Sequence, residues 1–408
     1  MEIKYIENGS VTSAKGFTAN GICAGVKASN TTKKDLALIY CDKVCNSAAI
    51  FTKNLVKSDT IYVTKKHLEN GTAQAVVVNS GNANACNPDG YEKAEKMCSL
   101  AADALGVDEN DVIVASTGVI GQPLPIEPIA SGIEKLKGTL SKDGGISAAE
   151  AIMTTDTKSK EVACTLELDG KQVTVAGMCK GSGMIHPNMC TMLCFVTTDV
   201  AISHELLQKA LSEDVVDTFN MISVDGDTST NDTVLVMANG QAENTPITKE
   251  GEDYKTFCEA LHFIMLELSK KIAGDGEGCT CLFEATVIGA KDKNQARTIA
   301  KSVVCSSLTK AAVFGHDANW GRILCAMGYS GAQFDPEVVD IWLESKAGTI
   351  KIVENGIATD YSEETATKIL SEEEVIAKMD IKEGNETATA FGCDLTYEYV
   401  KINGDYRS

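Results

Sequence analysis

One segment of the chain gathers four side chains that could take part in group-transfer chemistry. It runs from Lys180 to Thr191 with the sequence KGSGMIHPNMCT, and between those ends it holds Ser182 and His186. Two glycines and a proline disfavour a regular helix or strand across it, and irregular backbone often carries catalytic groups. The residue types alone favour a plainer interpretation, a loop entering a strand in which His186 makes an ordinary hydrogen bond.

A second segment could stabilise negative charge. Residues 116–121 read STGVIG and directly follow Asp111–Ala115 (DVIVA), an apolar run typical of a strand. The Thr117 hydroxyl and the Gly118 N–H could then lie side by side, and paired donors of this kind suit an oxyanion. A simple turn at the end of the strand is the alternative.

Familiar cofactor and metal motifs are missing. The chain has no G-x-x-x-x-G-K-[ST], no G-x-G-x-x-G after a strand and no G-x-S-x-G. Gly274–Gly278 (GDGEG) has the wrong spacing for either phosphate motif and is typical of a loop after a helix. No two histidines lie three to five residues apart, and no cysteine pair has a partner pair at zinc-finger spacing. We therefore expect no metal and no nucleotide cofactor.

Alternating hydrophobic periods predict the elements around these segments. The hairpin signals at Asp169-Gly170 and Asn355-Gly356, and the number of strands, favour mixed or antiparallel sheets layered with helices over a doubly wound parallel sheet. Predicted strands cover 75–78, 111–115, 164–168, 172–176, 191–198, 233–237, 349–353, 357–359 and 395–402. Predicted helices cover 91–105, 126–136, 204–219, 254–272 and 294–305, with a short one after the capping box at 371–374.

Composition excludes several classes of function. The 408 residues carry a formal net charge of −20, which disfavours binding to nucleic acid or to an anionic membrane. The absence of a secretory signal and of an apolar stretch of about 18 residues predicts a cytoplasmic protein. Its 15 cysteines are then expected to be free thiols. The length suggests two lobes, with a boundary near Ala290.

Seven motifs, in this order along nearly the whole chain, identify a resemblance. The chain resembles the ornithine acetyltransferases, also called glutamate N-acetyltransferases, of cyclic arginine biosynthesis. The motifs are VTSAKGFTANG (11–21), VVVNSGNANAC (76–86), STGVIG (116–121), AIMTTDT (151–157), KGSGMIHPNMCTML (180–193), SVDGDTSTND (223–232) and FGHDANWGRI (314–323).

The resemblance implies a precursor that cleaves itself between Cys190 and Thr191. Residues 1–190 form the first fragment, 191–290 begin the second, and 291–408 form a smaller C-terminal α/β lobe whose tail returns to the site. The implied fold is an α/β/β/α-type sandwich similar to N-terminal-nucleophile hydrolases, assembled from two copies of each fragment. The family usually has alanine where this chain has Cys190, which leaves the cleavage rate open.

The resemblance also implies the reaction and its residues. Thr191 would take the acetyl group of N-acetylornithine and pass it to glutamate in a ping-pong reaction, with no cofactor. The new α-amine, with an ordinary pKa of about 7.7–8, would be the base, and Thr117 and Gly118 would hold the oxyanion. The implied substrate contacts are Thr154, Lys180, Thr191, Glu277, Asn403 and Ser408.

Some of these assignments leave alternatives. Thr155 and Thr157 compete with Thr154 for its contact. Lys180 suits a substrate carboxylate and Glu277 a substrate ammonium. A bifunctional enzyme would also use acetyl-CoA as a substrate, an amidase or aminopeptidase would use water in place of glutamate, and an uncleaved protein would have no activity at all.

Overall fold

The structure is a computed structural model that describes residues 3–186 and 192–405. Three predicted site residues, Cys190, Thr191 and Ser408, lie outside the described residues. The strands are β1 (Lys4–Tyr5), β2 (Phe17–Ile22), β3 (Leu36–Phe51), β4 (Thr72–Asn79), β5 (Val112–Ser116), β6 (Lys160–Leu168), β7 (Lys171–Lys180), β8 (Leu193–Thr198), β9 (Ile222–Ser223), β10 (Thr233–Ala238), β11 (Leu282–Ala290), β12 (Asp340–Ser345), β13 (Gly348–Glu354), β14 (Ile357–Ala358), β15 (Glu374–Asp380) and β16 (Glu386–Cys393).

Helices alternate with these strands along the chain. They are α1 (Asp59–His67), α2 (Gly90–Leu105), α3 (Ile126–Lys137), α4 (Gly145–Ala151), α5 (His204–Asp214), α6 (Glu252–Ala273), α7 (Lys293–Cys305), α8 (Ser307–Phe314), α9 (Trp320–Gly328), α10 (Glu363–Leu370) and α11 (Tyr397–Asp405). None of the described helices combines the length and the apolar surface needed to cross a lipid bilayer.

The strands form two mixed sheets. In the first the order is β1-β6-β7-β8-β10-β3-β4-β5, with β2 also paired to β3, and in the second it is β14-β13-β12-β15-β11-β16-β9. Parallel pairs such as β8–β10 and β11–β15 lie beside antiparallel ones in both sheets. The predicted mixed α/β fold is confirmed. The finer α/β/β/α layer order and the domain division at 190/191 and 290 stay predictions.

Aliphatic side chains fill the core, as the low aromatic content requires. Helix α6 packs on β6 and β7 of the first sheet and also contacts strands of the second. Its buried side chains Phe257, Leu261, Ile264 and Leu268 recur at helical spacing. Helix α7 covers β11 and β16 in the second sheet, and α2 and α3 pack together on the β4–β5 side of the first. The site strands β5, β7 and β8 are therefore held between packed layers.

Two sequence predictions about the C-terminal region are wrong. The capping-box signal at 371–374 does not start a helix, because Ser371 ends α10 and strand β15 follows. In β15 alternate residues such as Val375 and Ala377 are buried between β11 and β12, so sheet pairing overrides the local signal. Residues 395–402 do not form a strand, since helix α11 begins at Tyr397, preceded by Thr396, whose hydroxyl accepts the Tyr399 N–H.

Candidate active site

A small cavity of about 130 Å³ lies where strands β5 and β7 end. Six of the predicted site residues line it together: Thr117, Gly118, Thr154, Lys180, Glu277 and Asn403. Thr155 also lines it, whereas the Thr157 hydroxyl donates a hydrogen bond to the Asp275 carboxylate. In the described residues, no group of three or more His, Cys, Asp or Glu side chains is placed to hold a metal ion.

The turn after β5 is held tightly. Gly118 has φ +127°, and a Cβ atom there would come within 2.9 Å of the Asn82 nitrogen, so no larger residue fits without movement. The Thr117 N–H donates to the Asn79 carbonyl at 2.9 Å, and the Asn231 side chain donates to the Ser116 carbonyl at 2.7 Å. These contacts hold the backbone of Thr117 and Gly118 at the cavity wall.

Lys180 and Glu277 bring opposite charges to the same cavity. Lys180 ends β7 opposite Leu193 of β8 and is 7% exposed, and Glu277 follows α6 and is 8% exposed. The Glu277 carboxylate accepts a 2.7 Å hydrogen bond from Asn403. No ion pair joins either charge to another described residue, although the Lys180 charge also acts on the buried Asp156 carboxyl. Because buried charges are normally paired, this arrangement suits a ligand that carries both a carboxylate and an ammonium group.

Sequence reasoning missed the polar residues that close the other side of the site. Ser229, Thr230 and Asn231 line the cavity, and Asp232 is 1% exposed. Within the described residues no group hydrogen-bonds the Asp232 Oδ2 atom. Burial raises the pKa of this carboxyl well above its ordinary value, against the opposing effect of the Ser229 hydroxyl. The motif at 223–232 was visible in the sequence, but nothing in its spacing assigned these residues to the cavity.

The residues on either side of 187–191 form hydrogen bonds with residues 225–233. Before that segment, the Ile185 N–H donates to the Asp225 carboxylate at 2.9 Å. After it, the Met192 carbonyl accepts the Thr233 N–H at 2.9 Å. The peptide bond between Cys190 and Thr191 is thus preceded and followed, within a few residues, by fixed backbone.

His186 packs outside the cavity. Its Nδ1 atom lies 3.1 Å from the Ser223 hydroxyl and 3.6 Å from the Cys305 sulfur. Burial, followed by the nearby Lys301 charge, lowers the pKa of His186 to about 4. The imidazole is therefore neutral near pH 7, and it contacts Ser223 and Cys305 rather than the residues that line the cavity.

The chain is similar to known proteins over nearly its whole length. Residues 18–408 match the model of a family described as the ArgJ family. The arginine biosynthesis bifunctional protein ArgJ of Caldanaerobacter subterraneus subsp. tengcongensis is 50% identical over 99% of this chain and 100% of its own length. The ArgJ 1 protein of Clostridium acetobutylicum is 50% identical over 100% of this chain and 99% of its own length. A crystal structure of the ArgJ protein of Bacillus halodurans is 48% identical, with a TM-score of 0.50, and covers 52% of this chain and 98% of that chain.

Proposed function

The chain belongs to the ArgJ family, and on that premise we propose that it transfers an acetyl group from N-acetylornithine to glutamate through an acetyl-Thr191 intermediate. The relatives' name, arginine biosynthesis bifunctional protein, supports a place in that pathway. One observation carries the proposal. A buried cation, Lys180, and a buried anion, Glu277, line one cavity with the Thr117–Gly118 turn.

The charges explain how two different substrates share one site. N-acetylornithine has a carboxylate and a side-chain ammonium, and glutamate has an α-carboxylate and an α-ammonium. Lys180 binds the α-carboxylate in each case, and Glu277 binds the side-chain ammonium of N-acetylornithine, while the α-amine of glutamate stays free to attack. Thr154 contributes a hydroxyl beside them, and Asn403 keeps the Glu277 carboxylate in place.

The chemistry then needs a nucleophile, a base and an oxyanion site. The free α-amine of Thr191 takes the proton from its own hydroxyl, whose oxygen attacks the acetyl carbonyl. The Thr117 hydroxyl and the Gly118 N–H donate to the resulting oxyanion. The α-ammonium returns the proton to the leaving nitrogen, and ornithine departs. Glutamate attacks the acetyl ester through its amine by the same steps in reverse.

Cleavage at the Cys190–Thr191 bond supplies this nucleophile. The Thr191 hydroxyl attacks the Cys190 carbonyl, the peptide C–N bond breaks as its nitrogen takes up the hydroxyl proton, and water hydrolyses the ester that this acyl shift leaves. The solved Bacillus halodurans chain supports such a division, because 98% of that chain matches only 52% of this one, about 212 of the 408 residues. A second fragment running from Thr191 to the end would contain 218 residues.

Location and assembly extend the proposal. We propose a cytoplasmic enzyme built from two copies of each fragment, without cofactor. The described cysteines are all free thiols, which supports a reducing compartment.

Two other activities remain candidates on the same cavity. A bifunctional enzyme would also acetylate glutamate from acetyl-CoA, which the relatives' name favours. An amidase would hydrolyse the acetyl-Thr191 ester with water. One experiment separates them, with purified protein in three mixtures: N-acetylornithine with glutamate, acetyl-CoA with glutamate, and N-acetylornithine alone.

The expected products differ between the mixtures. Transacetylation gives N-acetylglutamate with ping-pong kinetics in the first mixture and only stoichiometric ornithine in the third. N-acetylglutamate in the second mixture identifies the bifunctional enzyme, and catalytic ornithine release in the third identifies the amidase. No N-acetylglutamate in the first mixture contradicts the proposed function.

A further inference from the structure

A buried ion cluster lies directly behind the substrate cavity. Lys160 is 2% exposed, and its ammonium donates to Asp156 Oδ1 at 2.8 Å, to Asp275 Oδ2 at 2.5 Å and to the Lys158 carbonyl at 3.2 Å. None of these three side chains is used in the proposed chemistry. A fully buried lysine is rare, and its desolvation must be offset by partners of this kind.

Asp156 connects the cluster to two parts of the cavity. Its Oδ1 atom accepts the Gly181 N–H at 2.6 Å, and Gly181 directly follows Lys180. Its Oδ2 atom accepts the Thr154 N–H at 3.0 Å. Burial acts to raise the carboxyl pKa, but the positive charges of Lys180 and Lys160 outweigh it and hold the pKa well below its ordinary value. Asp156 therefore stays ionised.

Asp275 connects the cluster to a third part of the cavity wall, the segment that carries Glu277. It accepts the Thr157 N–H at 3.1 Å and lies two residues before Glu277. The Glu277 N–H donates in turn to the Ser182 carbonyl at 3.1 Å. A larger cavity of about 560 Å³ borders the other side of residues 274–278. Because this cavity leaves one side of residues 274–278 without close packing, hydrogen bonds must help to hold these residues in place.

We propose that Lys160 is a positioning residue, which fixes the separation of Lys180 and Glu277 by pairing with Asp156 and Asp275 at once. The cluster joins residues 154–157, 180–181 and 275–277, the three segments that carry both substrate-binding charges and Thr154. The inference rests on the proposed function only for the choice of ligand. A buried ion pair stabilises a fold no better than well-packed apolar residues in many cases, so the cluster is explained better by the geometry that it imposes.

The test compares Asp275→Asn and Lys160→Met with a matched control. Asp275→Asn keeps the size of the side chain and removes its charge, so it remains informative if Lys160→Met fails to fold. The control is Asp340→Asn in the second sheet, where a 7%-exposed carboxylate accepts hydrogen bonds from Lys351 and Asn355. For each variant, calorimetry gives the Kd for ornithine, steady-state assays give KM and kcat with both substrates, and thermal unfolding gives Tm.

The variants of the cluster are expected to weaken ligand binding rather than chemistry. The ornithine Kd and both KM values should rise on the order of tenfold, with kcat changed less than about threefold. Asp340→Asn should lower Tm while Kd and KM stay at their wild-type values. Unchanged Kd and KM in a folded Asp275→Asn enzyme, or a fall in kcat alone, overturns the inference. If wild-type protein binds ornithine but transfers no acetyl group, the proposed function fails while the Kd comparison still decides the role of Lys160.

Discussion

The side-chain amide of Asn403 donates a 2.7 Å hydrogen bond to the Glu277 carboxylate, although 126 residues separate the two in the sequence. Helix α11, which carries Asn403, has no buried residues of its own. Its second anchor is the Thr396 hydroxyl, which donates to the Gly278 carbonyl at 2.7 Å. The C-terminal helix is thus tied to Glu277, the residue proposed to bind the substrate ammonium, and to the residue that follows it.

Asn403→Asp should weaken the binding of N-acetylornithine. The new carboxylate faces Glu277 and repels it, so we expect KM for N-acetylornithine to rise on the order of tenfold. Lys401→Ala on the same helix is the control, because the Lys401 ammonium pairs with the neighbouring Glu398 on the exposed surface. Steady-state kinetics give KM for the two variants. If the Asn403→Asp enzyme has the same KM as the Lys401→Ala control, Asn403 does not contribute to the site.

Thr117→Ala should slow turnover without preventing cleavage. The substitution removes one of the two proposed oxyanion donors, which typically costs on the order of 10²-fold or more in kcat. The backbone contacts of the turn, such as the Thr117 N–H to Asn79, do not involve the side chain and should persist. Gel analysis gives the extent of cleavage and steady-state assays give kcat. A variant with wild-type kcat contradicts the assignment.

Gly183→Ala should displace Glu277. A Cβ atom at Gly183 would collide with the Glu277 carboxylate, so the carboxylate must move out of its position. We expect KM to rise on the order of tenfold or more. Gly328→Ala, where a Cβ atom meets nothing within 4 Å, is the control. Steady-state kinetics of the two variants give KM. A Gly183→Ala enzyme with the same KM as the Gly328→Ala control would contradict the placement of Glu277.

The free energy of unfolding should fall as the pH is lowered from about 6.5 to about 4, because of His186. Burial lowers its pKa to about 4, below the ordinary value of about 6.5. Between these values the unfolded chain binds a proton that the folded chain does not, so the free energy of unfolding decreases as pH falls. Above about pH 6.5 the imidazole is neutral in both states and the effect is absent. His186→Asn should flatten this slope in urea unfolding between pH 4 and 7.

His262 is the control because its shift has the opposite sign. A hydrogen bond with Asp214 raises its pKa, so its contribution to stability is full below about pH 6.5 and is lost as pH rises through the raised value. His262→Asn should therefore remove stability mainly at low pH. If His186→Asn leaves the acid slope unchanged, the lowered pKa of His186 is wrong.

Local signals predicted much of the fold. The Asn355-Gly356 turn has φ +46° and +73° and joins β13 to β14 as its residue types predict. Ser203 caps α5 and Gly106 ends α2 in the left-handed region, as the preferences of serine and glycine at these positions predict. The predictions for residues 371–374 and 395–402 were wrong because contacts far along the chain matter there. Strand β15 pairs with β11 and β12, and the C-terminal helix is tied to Glu277 and Gly278.

The site shows the same division between local and distant information. Motif resemblance gave Thr117, Gly118, Lys180, Glu277 and Asn403, and the structure brings them to one cavity. Periodicity could not have done so, because these residues come from strand ends, a loop and the C-terminal helix. The Lys160 cluster was also invisible in the sequence, since its third member, Asp275, lies 115 residues from Lys160.

The intact mass of the purified, active protein shows whether Thr191 becomes an N-terminal nucleophile. The account predicts two chains on a denaturing gel, of 190 residues and of the remaining 218 among 408, the second beginning at Thr191. Thr191→Ala should stay as one inactive chain of 43.3 kDa. A single 43.3 kDa chain from wild-type protein that still transfers acetyl groups would contradict the account.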